Sequence, residues 1–160
     1  VTTGPTYVEF AEGTPGEVLE VMARMASAHQ GWVNFEPAVA VEDVPPPRDG
    51  LFALFSGRGP DVPVATWTAA TAPKGRRRPE PAMVGILHPA GSRAGAKLAE
   101  LGHPLPDGWV VLQDYSKKGL VAAVPPSVAH RDILSWLLEA ATLLSRVPLT
   151  GRWRAVVYDG

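Results

Sequence analysis

A chain of 160 residues with 46% hydrophobic and 19% charged residues has the composition of a packed globule, able to bury about 68–70% of its unfolded surface, which excludes a disordered segment. Its formal net charge of −1 supplies no global attraction to nucleic acid or anionic membranes, so any such affinity must come from a local patch. The absence of cysteine removes disulfide scaffolds, thiolate nucleophiles and cysteine-ligated zinc together.

No apolar run approaches the roughly 20 residues that span a bilayer, and the opening VTTGPTYVEF has neither a basic nor an apolar leader region. A signal peptide is therefore expected to be absent or already removed, and a cytoplasmic setting without membrane contact is the expectation. Arginine outnumbers lysine eleven to four, as in GC-rich bacterial genomes, a bias that also makes Ala-Gly-Arg clusters common by chance.

TYVEFA at 6–11 reads as a strand. A helix follows it, with Thr14 as expected N-cap, Pro15 in the first turn and Glu17 completing a capping box. Val18, Met22, Met25 and His29 recur along this helix at helical spacing. GWVNFE at 31–36 alternates, with Val33 and Phe35 on one face and Trp32, Asn34 and Glu36 on the other. DVPPPRDG at 43–50 breaks regular structure. LFALFS at 51–56 reads as a strand covered on both faces, and VPVATWTAA at 62–70 as another. The basic segment 71–81 is read as a solvated loop. AMVGIL (82–87) is a strand and 89–101 a helix whose glycines, Gly91 and Gly95, let it lie close to a neighbour. GWVVLQD (108–114) and GLVAAV (119–124) form a hairpin across YSKKG. Residues 127–147, with Ser127 as cap, make the strongest helix, and 151–159 closes as a strand.

These elements predict an α+β fold: a largely antiparallel sheet with about three helices, the C-terminal half running βαββαβ in ferredoxin-like order. One domain over 1–160 is expected, with any subdivision falling between 1–70 and 82–160 around the basic loop.

The stretch HPAGSRAGAKLAELG at 88–102 has the look of a phosphate cradle but fails each named test. A P-loop needs four residues between its glycines and a hydroxyl after the lysine, whereas Gly91 and Gly95 enclose three and Leu98 follows Lys97. The dinucleotide fingerprint and the G-x-S-x-G elbow are also missing. A less specific reading survives, in which the start of the helix, with His88, Ser92, Arg93 and Lys97, holds a small anion.

Loop 71–81 concentrates Lys74, Arg76, Arg77 and Arg78 against Glu80. Such a patch grips phosphates, but it contains no aromatic residue on which bases could stack, which ranks nucleic acid third among the partners. Among the histidines, His29, His88, His103 and His130, only Glu100 and His103 adopt a metal-ligand spacing, and the rest of a di-iron set is missing. Neither metal nor cofactor is expected. Ser92, His88 and Asp114 contain the types needed for nucleophilic catalysis, but nothing in their spacing requires assembly. Asp132 beside His130 complements the start of the last helix. On that helix Leu134, Leu137, Leu138, Ala141 and Leu144 make the main stripe, and Trp136, Ala140 and Leu143 extend it, either into the monomer core or into a homodimer interface. The leading expectation is a non-enzymatic binding or interaction domain, homo-oligomeric, with a small anion near residue 88–97. A metal-independent enzyme on a small anionic or acyl substrate, with His88 as acid or base, comes second.

Overall fold

The computed structural model describes residues 4–47 and 59–160, so the strand read at 51–56 lies outside the described residues. In chain order the elements are β1 (Thr6–Ala11), α1 (Gly16–Ala28), β2 (Trp32–Pro37), β3 (Val64–Thr68), β4 (Ala82–Leu87), α2 (Ala94–Glu100), β5 (Val110–Tyr115), β6 (Gly119–Val124), α3 (His130–Leu144) and β7 (Arg152–Tyr158). This is the expected α+β class, and the C-terminal half does run βαββαβ.

The seven described strands join one sheet in the order β1-β7-β2-β3-β4-β6-β5, and every neighbouring pair is antiparallel. In the bare ferredoxin-like order β7 would lie beside β4. Here the β2–β3 hairpin separates them, and β7 slots between β1 and β2 instead. The basic segment thus joins two central, adjacent strands.

Three connections carry a helix between strands that run parallel: α1 from β1 to β2 over β7, α2 from β4 to β5 over β6, and α3 from β6 to β7 over three intervening strands. Right-handed crossovers are strongly preferred. The first two move one way across the sheet. The third moves the opposite way from an oppositely directed strand, so right-handedness places all three helices on the same face.

That face forms the core. Alternation places Phe10, Trp153, Ala155, Val157, Val33, Phe35, Ala65, Trp67, Val84, Ile86, Leu120 and Ala122 on it, and all are buried. From α1, Val18, Met22 and Met25 meet them, and α3 contributes eight buried side chains. The opposite face carries Tyr7, Glu9, Arg154, Glu36, Asn34, Trp32, Thr66, Thr68, Met83, Gly85, Leu87 and Val121. No described helix covers it.

Several expected boundaries move. Helix α1 starts at Gly16 with Pro15 at the N-cap and no side-chain cap bond. Thr14 instead donates its N–H to the Ala11 carbonyl in the turn out of β1, so the capping box does not form. Helix α3 begins at His130, with Ala129 at its cap. Ser127 lies in a preceding turn, where Val128 N–H meets the Pro125 carbonyl. Helix α2 is shorter than expected, because Gly91 (φ 84°) and Arg93 (φ 62°) hold residues before Ala94 in left-handed turns.

Gly119 shows where a glycine is required. It opens β6 with φ 81°, and an added Cβ would run into the Ile86 carbonyl of β4. Gly119→Ala is expected to cost about 1–3 kcal/mol through its backbone conformation alone, with the clash adding to that. A chemical denaturation curve with an unchanged midpoint would contradict this account.

Candidate functional site

The start of α2 is the place the sequence singles out, and its geometry turns on a β-bulge. Between Val111 and Gln113 the β5–β6 register slips by one residue. Simple alternation from Val111, half-exposed on the helix-bearing side of the sheet opposite Ala122, would send Gln113 and Tyr115 to that side. The bulge reverses that parity and places Asp114 on the core side opposite Leu120. There its carboxylate accepts hydrogen bonds from the N–H groups of Ala94 (2.9 Å) and Gly95 (3.1 Å). The positive end of the helix is therefore already occupied by an internal anion.

The other residues of the expected anion site are placed accordingly. Lys97 Nζ donates to the Ala90 carbonyl of the preceding turn. Ser92 and Arg93 are exposed and His88 is fully buried. The four do not converge on a hollow. Gly95 serves as a donor to Asp114, and a Cβ on Gly91 or Gly95 would meet only ordinary contacts, so neither glycine is there to bring two helices close.

His88 continues the inward parity of Val84 and Ile86. Its Nδ1 accepts the Ala90 N–H at 3.1 Å, which places the proton of the neutral ring on Nε2. That nitrogen is buried and has no hydrogen-bond partner among the described residues. Burial pushes the His88 pKa below the ordinary histidine value, the Asp114 charge pulls the other way, and Lys97 adds to the lowering. His130, edge-on to Trp67 at 5.5 Å, is also lowered by burial. A general acid or base must reach its substrate. His88, with no exposed surface, does not offer that access.

His103 stacks on Trp136 at 5.3 Å and donates from Nε2 to the Trp136 carbonyl (2.9 Å), with Nδ1 3.5 Å from Glu139. Among the described residues no group of three or more potential metal ligands converges. Trp136 is taken up inside the monomer: its Nε1 donates to the Pro104 carbonyl and its ring meets Trp109 edge-on. Ala140 is fully buried, which leaves Leu143 as the exposed member of the trio read as an interface.

Two other surfaces are more open. The first is the hairpin that joins β3 to β4. It is built rather than loose: Thr71 N–H donates to the Glu80 carbonyl, Glu80 N–H to Thr71 Oγ1 (2.9 Å), and Arg77 N–H to the Lys74 carbonyl (3.0 Å). Gly75, at φ 60°, makes the two-residue tip, as a turn with glycine in its first central position does. Between this hairpin and the last residues of α1 lies a hollow of about 720 Å³, lined by Lys74, Arg77, Arg78, Glu80 and His29 with small apolar residues.

The second is the uncovered sheet face. Trp32 and Tyr158 stack there (4.8 Å), Arg154 lies over Tyr7 (5.4 Å) and bonds Glu36, and Thr66 donates to Asn34 (2.9 Å). A shallow hollow of about 220 Å³ is floored by Gly85 and rimmed by Met83, Leu87, Thr66, Thr68 and Lys118. A further hollow, about 490 Å³, flanks α3, but it mixes Arg131 with Asp132, Glu139 and Glu12, and Glu12 already accepts from Trp153 Nε1 (2.8 Å).

Sequence reasoning did not single out the Asp114 capping role or the sheet face. The alternation of Trp32, Asn34 and Glu36 was the only signal of the latter. Compared with known protein families, characterised proteins and solved structures, the chain matches none.

Two predictions follow from the α2 region. Asp114→Ala should cost about 1–3 kcal/mol by orphaning two amides and removing charge-assisted bonds, with α2 amides exchanging faster; unchanged exchange at Ala94 and Gly95 would count against it. For His88 and His130 the folded pKa lies below the unfolded one, so the unfolded chain binds more protons as pH falls below the ordinary histidine value. Stability is therefore full above about pH 6.5 and declines below it, by at most about 1.4 kcal/mol per pH unit per group. His88→Asn keeps an acceptor for Ala90 and should flatten that decline in urea melts across mildly acidic pH.

Proposed function

We propose that this chain is a non-enzymatic interaction domain that works through the uncovered face of its sheet, and that the partner seated there is a second copy of itself. The observation that supports the reading is a seven-stranded face on which Trp32, Leu87, Val110, Tyr115 and Tyr7 are all more than 40% exposed. A sheet face that exposes several large aromatic and aliphatic side chains among polar ones is a surface suited to a partner.

Area and charge favour the second copy. With seven strands about 4.8 Å apart and about 20 Å long, each face spans roughly 600 Å², so two of them bury about 1,200 Å², above the roughly 1,000 Å² a specific interface needs. β3 is the middle strand. A two-fold axis along it lays the β1–β7–β2 side of one copy over the β4–β6–β5 side of the other. Glu9, Arg154 and Glu36 form a row across β1, β7 and β2, a net negative group. The β5–β6 turn at the same end of the sheet carries Lys117 and Lys118, and Lys118 reaches the open face. Opposite signs therefore meet across the axis, while Thr66 and Thr68 meet their own copies.

Thr68→Lys is the direct test, because it sets two ammonium groups against each other on the axis. Sedimentation should find a dimer for the natural chain and a monomer for the variant, with dimer affinity weakened about 100-fold or more and the circular dichroism unaltered. A natural chain that stays monomeric at high concentration, or a variant that dimerises as well as the parent, overturns the reading.

A further inference from the structure

We propose that the hollow beneath the 71–80 hairpin binds an organic polyphosphate of nucleotide size, with Lys74, Arg77 and Arg78 on its phosphates. The inference is separate from the dimer, since the hollow lies between the hairpin and the end of α1 rather than on the sheet face.

Size comes first. About 720 Å³ falls within the roughly 300–1,000 Å³ of small-molecule sites. Charge comes second. Four of the chain's fifteen cations lie between residues 74 and 78, three of them line the hollow, and Glu80 is the one carboxylate there.

The third argument is electrostatic strain. Lys74 and Arg77 are paired directly across an isolated antiparallel bridge, and like charges in that relation are destabilising. The two-residue tip at Gly75 holds them together, and an anion between them turns mutual repulsion into shared attraction. The carbonyl end of α1 opposes an anion with about half a charge. The N–H groups of His29 and Gln30 already engage the Ala26 and Met25 carbonyls, and three full cations outweigh what remains.

The organic half of the ligand is indicated by the rest of the lining. Ala28, Ala72, Pro73, Pro79 and the His29 ring offer a small-residue, apolar wall beside the cations, which suits a flat heterocycle better than water.

Calorimetry on the full chain at low salt, with adenosine triphosphate, inorganic triphosphate, adenosine and oligodeoxythymidylate as probes, tests this. The nucleotide should bind, and added salt should weaken it. Inorganic triphosphate should bind several-fold more weakly, and adenosine not measurably. Lys74→Ala combined with Arg77→Ala and Arg78→Ala should weaken the nucleotide about 1,000-fold, given roughly tenfold for each of three charge-assisted contacts. All three side chains are exposed, so the fold should survive, which circular dichroism checks. Arg93→Ala, at the start of α2, should leave affinity unchanged. Failure of every phosphate to bind overturns the proposal. So does equal affinity for inorganic triphosphate, binding confined to the oligodeoxythymidylate, or loss of binding through Arg93 and not through the hairpin. None of these outcomes depends on the dimer.

Discussion

The insertion of the last strand between the first two is the constraint on which the rest of this structure depends. Once β7 lies between β1 and β2, its two neighbours must run parallel to each other, and α1 must cross over it. Strand β7 itself must then be reached from β6 by a helix that spans the middle of the sheet. Because that return runs in the opposite direction from an oppositely oriented strand, the same handedness rule puts α3 beside α1 and α2. One face thereby receives all three of these helices, and no described helix lies on the other. The uncovered face is a consequence of topology, not of a shortage of apolar residues to cover it.

The same insertion makes the chain's two ends mutually dependent. Trp153 pairs with Phe10 in register and its indole bonds Glu12 (2.8 Å), contacts more than 140 positions apart in sequence. Pairings of such separation carry a loop-closure cost before they contribute stability. The β2–β3 and β5–β6 hairpins and the helices are local by comparison, so the β1–β7 pairing carries the largest loop-closure cost of these contacts.

What could be read beforehand was local. The alternation Trp32-Val33-Asn34-Phe35-Glu36 assigns each side chain to its observed face, because one strand's parity depends only on its own residues. The long apolar stripe of α3 predicts cover, in the core or in an interface, and for Trp136 and Ala140 the cover comes from the monomer itself. Strand order was not legible, since pairing partners are chosen by the whole sheet. Capping failed more instructively. Thr14 and Ser127 are good caps by composition, yet neither caps, while α2 is capped by Asp114 from a strand in another part of the chain. A one-residue bulge decides which way Asp114 points, and no periodicity in VVLQDY announces it.

At the start of α2, electrostatics is satisfied from the nearest source. A short helix start with two free amides attracts any carboxylate within reach, and the fold delivers Asp114 to it. The cations of the 71–80 hairpin have no equivalent delivery: the segment lies beyond the end of the sheet, where strand neighbours no longer bring acids alongside. Glu80 is one charge against four, and the turn forces Lys74 and Arg77 together. Inside the sheet, neighbouring strands bring opposite charges alongside, as β7 and β2 do with Arg154 and Glu36. A charge imbalance held at the tip of an ordered hairpin is left for solvent, salt or a ligand to correct.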